Sequence, residues 1–215
     1  MRRIIGIFGG TFNPVHNGHT ETINYLLETI PFNKILIIPN AVPPHKKVNN
    51  VSFEHRLRMV TLAFRNIRRA EVDNREVFRD TPSYAINMVK EILEEEKNAK
   101  VIMIVGSDTF SDIQDWYKYK ELLTLVDFIV MNRPNFPLPI NKDAYNLVNK
   151  NLVLEDFLKE TSKKGVFEIK VTPLSISSSL IRRDVLRGKE LKHLINPEVE
   201  KYLKKHKLYE SKSSV

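Results

Sequence analysis

Residues 101–105, Val-Ile-Met-Ile-Val, form an unbroken apolar run framed by Lys100 and Gly106. A half-exposed strand alternates polar and apolar residues, and a half-exposed helix repeats every 3.6. This run does neither, so both sides of its backbone must be buried. It is too short for a buried helix, and its Val and Ile side chains suit a pleated strand. Strands covered on both faces belong to parallel sheets sandwiched between helices. Similar runs occur at residues 4–8 (IIGIF), 34–40 (KILIIPN, ended by Pro39) and 127–131 (DFIVM), and residues 166–171 (VFEIKV) read as a further strand. Helical stretches separate them. The expected fold is therefore α/β, a parallel sheet with helices on both faces.

The connecting elements are legible in part. Phe53, Leu57, Val60, Phe64 and Ile67 mark one face of a helix over 52–67, with Ser52 as its N-cap. Arg56 and Arg58 fall on its other faces. Residues 70–79 (AEVDNREVFR) read as a weak strand. A helix from Tyr84 to about Lys97 turns Ile86, Val89, Ile92 and Leu93 inward, with Ser83 as its cap, and residues 121–126 finish another helix. Gly188 ends the helix that opens near Leu180. Asn196 as N-cap and Pro197 in the first turn open a last helix to Lys205, with Val199, Tyr202 and Leu203 inward. Residues 135–165 hold prolines and one amphipathic stretch, 144–158, and are expected to supply loop and helix without chemistry. Residues 1–210 read as one domain and 211–215 as a frayed tail.

With 215 residues, 42% hydrophobic and 28% charged, the chain can bury a full single-domain core. No apolar run approaches the roughly 20 residues of a membrane span. The start MRRIIGIFGG reads as a first strand and not as a signal peptide. Without cysteine there is no disulfide framework and no thiolate metal site, which fits the cytoplasm. A net charge of +8 is compatible with nucleic acid, a membrane surface or phosphate ligands. Lys201, Lys204, Lys205 and Lys207 concentrate charge near the C-terminus, where they suit a solvated helix face.

The chemistry-bearing residues gather where strands end. Residues 4–20 run from strand through Gly9-Gly10 and a polar loop into a helix with Ile23, Leu26 and Leu27 inward. Glycines there admit a ligand close to the backbone, and helix N–H groups offer an anion site. His16 and His19, spaced i and i+3, can share one face and donate to phosphate oxygens. The same spacing fits a surface pair or two metal ligands. Asp108, after Gly106, suits a ribose hydroxyl, a metal ion or an adenine amino group, and equally a helix cap. Trp116-Tyr117 suits a planar ring, or a packing lid. Lys46 is presented by a proline-stiffened loop, and Arg133 at a strand end is a phosphate ligand or an exposed loop residue. Ser177, Ser178 and Ser179 precede Leu180-Ile181-Arg182, as a phosphate cradle or a plain serine cap.

The strings carry more than the spacings do. GGTFNPVHNGH (residues 9–19) resembles the (H/T)xGH signature of the nucleotidyltransferase superfamily in its specific GGTFxPxHxGH form. ISSSLIR (176–182) resembles its second signature, ISSTxIR, with Ser179 keeping the hydroxyl of the common threonine. PPHK at 43–46, PSYA at 82–85, Gly106 with Asp108, and Trp116-Tyr117 extend the likeness from Gly9 to Tyr209. The family resembled is the bacterial nicotinate-nucleotide adenylyltransferases. In those enzymes PSYT stands where this chain has PSYA, and Asp is common where it has Asn87; the resemblance thus implies that the Thr hydroxyl, one polar group open to substrate, is absent at Ala85 while backbone N–H contacts survive.

The resemblance implies a Rossmann-like nucleotidyltransferase fold and a reaction of NAD biosynthesis in the cytoplasm. ATP and nicotinate mononucleotide would give deamido-NAD and pyrophosphate. His16, His19 and Arg182 would be catalytic, acting on the phosphates. Gly9, Gly10, Thr11, Phe12, Gly18, Gly106, Asp108, Arg133, Ser177 and Ser178 would bind ATP. Lys46, Thr81, Ser83, Tyr84, Trp116 and Tyr117 would bind nicotinate mononucleotide, the Trp-Tyr pair packing the pyridine ring. Mg²⁺ would be carried on ATP, without a dedicated protein metal site. The partners implied are these two small molecules, not nucleic acid or membrane, and a homo-oligomer is compatible. Pantetheine-phosphate enzymes of the superfamily are shorter, commonly carry Thr at the place of His16, and lack PPHK and Trp-Tyr. A synthetase relative needs a longer chain and a lysine-rich second signature. A basic nucleic-acid-binding domain rests on charge alone and leaves both signatures unexplained.

Overall fold

The computed structural model describes residues 2–43, 51–78, 81–132, 153–160, 163–171 and 176–210. Six strands, β1 (Arg3–Gly10), β2 (Lys34–Pro39), β3 (Ala70–Val72), β4 (Ala99–Gly106), β5 (Asp127–Asn132) and β6 (Val166–Lys170), form one sheet in the order β3-β2-β1-β4-β5-β6. All neighbours are parallel, with Ile7 of β1 beside Leu36 of β2 and Met103 of β4. The helices are α1 (Asn17–Thr29), α2 (Phe53–Phe64), α3 (Ala85–Glu95), α4 (Ser107–Ser111), α5 (Tyr119–Leu125), α6 (Leu154–Lys159), α7 (Ser178–Leu186) and α8 (Pro197–Lys205).

The unbroken apolar runs have the predicted consequence: successive side chains enter two different cores. Phe8, Ile35, Ile37, Ile102 and Ile104 pack under Leu26 of α1, Val60 of α2, Ile181 of α7 and Val199 of α8. Ile5, Ile7, Leu36, Val101, Met103 and Val105 pack under Val89 of α3, Phe110 of α4 and Leu122 of α5. Gly6 interrupts the first run because a Cβ there would stand 2.9 Å from Ile35 Cγ1 and 3.0 Å from Ile104 Cδ1. Among the described residues no helix is long and apolar enough to cross a membrane.

Several local expectations are met. Ser52 Oγ accepts from His55 N, Asn196 Oδ1 accepts from Glu198 N at 2.9 Å, and Gly188 takes a positive φ of 63° just past α7. Others are corrected. Helix α2 stops at Phe64 and α3 at Glu95. The expected strand over 70–79 ends at Val72, because Asp73 Oδ1 accepts from Arg75 N at 2.9 Å and turns the chain into a 3-10 turn, Arg75–Phe78. Arg56, assigned to an outer face of α2, is 1% exposed. Of the stretch 144–158, only the part from Val153 on lies within the described residues, and the expected tail 211–215 lies outside them.

At the start of β4 and β5 the sheet encloses an ion pair. Lys100 Nζ stands 2.9 Å from Asp127 Oδ2 and donates to Glu160 O at 2.8 Å, while Gly165 N–H donates to Asp127 Oδ1 at 2.9 Å. Both side chains are almost fully buried. Removing one partner strands the other charge. Lys100→Met is expected to lower unfolding stability by about 3 kcal/mol in urea titration. The lower end of the usual range applies because Lys164 Nζ also approaches Asp127 Oδ2, at 3.7 Å. The pair lies at the end of β4 opposite Gly106, away from the carboxyl ends of the strands, so the loss should be confined to stability.

Candidate active site

The strand order reverses between β1 and β4, since β2 and β3 extend from one side of β1 and β5 and β6 from the other side of β4. Ligands of doubly wound sheets bind beyond the carboxyl ends of the strands at such a switch point. A cleft of about 660 Å³ opens there.

The turn after β1 forms its floor. Gly9, Gly10, Thr11 and Phe12 line it. Phe12 has a positive φ of 46° and folds its ring back over Gly10, where a Cβ would sit 3.2 Å from the ring. That ring meets His19 edge-on, with centroids 5.0 Å apart. His16 is the extended N-cap of α1, and its carbonyl accepts from His19 N at 2.8 Å. His16 N–H in turn donates to His19 Nδ1 at 3.1 Å. A neutral His19 therefore carries its proton on Nε2, as a donor. The two rings stack at 3.7 Å between centroids and 30° between planes. Stacked imidazoles do not converge on a shared metal, and among the described residues no three His, Asp or Glu side chains form a metal-binding group. Gly18 lines the cleft beside the stacked pair.

The second signature closes onto the first. Ser178 Oγ donates to Pro14 O at 2.8 Å. Arg182 Nη1 donates to Asn13 O at 2.6 Å across 169 residues of sequence, and its Nη2 donates to Ser179 Oγ at 3.0 Å. Ser178, Ser179 and Arg182 line the cleft. Ser177 does not: its Oγ accepts from Leu180 N at 3.1 Å, which makes it the cap of α7. The C-terminal quarter holds the same loop from behind. Asn17 N–H donates to Leu194 O at 2.9 Å, Asn17 Nδ2 to His193 O at 3.0 Å, and Tyr209 Oη to Asn13 Oδ1 at 2.5 Å. Burial pushes the Tyr209 phenol well above its ordinary value, against the opposing pull of Arg182 and Arg56, so it stays a donor.

The remaining wall comes from the ends of β2 and β4 and the start of α3. Ser83 does not cap α3. Its Oγ accepts from Val42 N at 3.1 Å and its N–H donates to Val42 O at 2.9 Å, a clasp between the loop after β2 and the start of α3. Tyr84 is the N-cap and makes no side-chain capping bond; Asn87 N–H donates to Tyr84 O at 3.1 Å, and Ser83, Tyr84 and Ala85 line the cleft wall at the start of α3. The Tyr84 and Tyr117 rings lie 4.5 Å apart, and Trp116 and Tyr117 line the same side. Asp108 is not the cap of α4 but its second residue. Its Oδ1 folds back so far that a Cβ on Gly106 would be 2.5 Å away, and both residues line the cleft. Thr81 is exposed and off the cleft wall. Lys46 and Arg133 lie outside the described residues.

A switch-point crevice with paired imidazoles at one helix start and a serine–arginine turn at another defines the nucleotidyltransferase class. Residues 7–184 match the cytidylyltransferase-like family. A probable nicotinate-nucleotide adenylyltransferase of Shewanella sp. (strain W3-18-1) is 31% identical over 211 residues, covering 95% of this chain and 98% of its own. One from Carboxydothermus hydrogenoformans is 33% identical over 205 residues, covering 95% and 97%. With these relatives the chain belongs to the nicotinate-nucleotide adenylyltransferase family. The fold is shared with the Plasmodium falciparum nicotinic acid mononucleotide adenylyltransferase solved in complex with NaAD. That likeness has a TM-score of 0.74 at 22% identity and covers 96% of this chain and 97% of that one.

Two residues that hold the site were not assigned a role from sequence. Tyr209 has no local pattern that marks it. Arg56 sits in what reads as the polar stripe of α2.

Proposed function

We propose that this protein joins ATP and nicotinate mononucleotide to give deamido-NAD and pyrophosphate, in the cytoplasm. The observation that carries this reading is the bond from Arg182 to Asn13 O, which brings the two phosphate signatures onto one cleft. The mononucleotide's phosphate oxygen attacks the α-phosphorus of ATP. The new P–O bond forms as the bond to the β-phosphate oxygen breaks, and pyrophosphate leaves with that electron pair. No proton needs to be abstracted from the nucleophile, so catalysis rests on alignment and charge stabilisation. His19, with Nε2–H as donor, and His16 beside it meet the α- and β-phosphate oxygens. Arg182, steadied by Ser179 and Asn13, meets the departing end.

Mg²⁺ is expected to be bound by phosphate oxygens and water, with Asp108 the nearby carboxylate on the wall, which suits an ion that keeps much of its hydration. When bound it neutralises charge on the leaving pyrophosphate. Trp116, Tyr117 and Tyr84 offer a ring platform for the pyridine, and the uncapped start of α3 offers N–H groups to its carboxylate. Those are main-chain groups, so Ala85 in place of threonine leaves them intact.

Labelled ATP tests the chemistry. With [α-³²P]ATP and nicotinate mononucleotide, label should appear in the dinucleotide, and with [γ-³²P]ATP only in pyrophosphate. Label retained on the protein, or γ-label in the organic product, would refute direct transfer.

A further inference from the structure

Arg56 is among the largest fully buried side chains, and its guanidinium bonds only to main-chain carbonyls among the described residues. Nη1 donates to Thr11 O at 2.8 Å and to Asn40 O at 2.7 Å, and Nη2 donates to Ala41 O at 3.0 Å. Thr11 follows β1, and Asn40 and Ala41 follow the adjacent β2, so one planar cation ties together the turns beyond two neighbouring strands. Burial lowers its proton affinity, yet an arginine stays charged at any physiological pH. A buried cation is tolerated where dipoles face it, and here three carbonyls do.

The other ends of those dipoles matter for function. In a trans peptide the C=O and N–H point in opposite directions. Carbonyls 11, 40 and 41 turned toward the guanidinium send the N–H groups of Phe12, Ala41 and Val42 away from it. Val42 N–H goes to Ser83 Oγ. Those of Phe12 and Ala41 have no protein acceptor among the described residues. Thr11, Phe12 and Asn40 line the cleft.

We propose that Arg56 is a positioning residue for adenylyl transfer. From beneath the cleft floor it fixes the Thr11–Phe12 and Asn40–Ala41 peptides so that their N–H groups meet the phosphates of the bound nucleotides. This rests on the reaction proposed above and adds the residue that orients its main-chain donors. A lysine keeps the charge, but its single nitrogen cannot span the carbonyls that Nη1 and Nη2 reach separately.

The test measures kcat, both KM values and the melting temperature of Arg56→Lys beside the unaltered protein. Positioning predicts a kcat about 20-fold lower or worse in a variant still folded at assay temperature, since small misplacements of reacting groups are costly. A merely structural role predicts a lower melting temperature with kcat of the folded protein within twofold, and that result overturns the proposal. If the variant does not fold, amide NMR of the unaltered protein decides. Titration with inorganic pyrophosphate should shift the Phe12 and Ala41 N–H resonances, and unmoved resonances overturn the proposal. An inactive unaltered protein would instead refute the reaction, while the pyrophosphate titration still tests the amide orientation without reference to the acceptor.

Discussion

Replacing His19 with alanine is expected to lower kcat by about 10²–10³, the loss usual for a preorganised donor to transition-state charge. The ring is held from three sides: the His16 N–H on Nδ1, the stacked His16 ring, and the edge-on ring of Phe12. Those contacts fix Nε2–H in direction before substrate arrives. His19 is half-buried and lies in the first turn of α1, where alanine is a good helix former, so the fold should persist. Steady-state assays with circular dichroism on the same sample check both halves. A loss under tenfold in a folded variant removes His19 from the chemistry. Asparagine, which keeps a donor but not its reach, should recover little.

Arg182→Ala is the second large effect, again about 10² or more in kcat/KM, because it removes both a cation and a brace from the site. Its guanidinium spans Asn13 O and Ser179 Oγ. Lysine cannot bridge both and still present charge to a phosphate, so Arg182→Lys should stay within about tenfold of the alanine variant. Product inhibition separates the two roles. If Arg182 meets the departing pyrophosphate, the inhibition constant for pyrophosphate should rise with kcat/KM loss in both variants. An unchanged inhibition constant would leave Arg182 as a brace of the Asn13 loop only.

What could be read from the chain alone follows its physics. Residues 101–105 dictate a doubly covered strand because no side chain among them tolerates water, and β4 is that strand. Both phosphate signatures were legible because each is a contiguous string at a strand end or a helix start. Ser177 shows the ambiguity of single residues: the same hydroxyl fits a cradle or a cap, and the structure makes it a cap. Ser83 is ambiguous for a different reason. Its partner Val42 lies 41 residues away, so nothing local separates a clasp from a cap. Arg56 follows polar spacing on α2, and its bonds to the turns beyond β1 and β2 appear only in the assembled sheet. Tyr209 reaches Asn13 across 196 residues. Contacts of that span depend on the assembled sheet and leave no periodic trace.

The most direct test of the whole account is pyrophosphate release with ATP and Mg²⁺, offering nicotinate mononucleotide, nicotinamide mononucleotide and phosphopantetheine in parallel. The account predicts rapid release with nicotinate mononucleotide and a strong preference for it over the nicotinamide form. No release with either pyridine mononucleotide, or a faster reaction with phosphopantetheine, would contradict it.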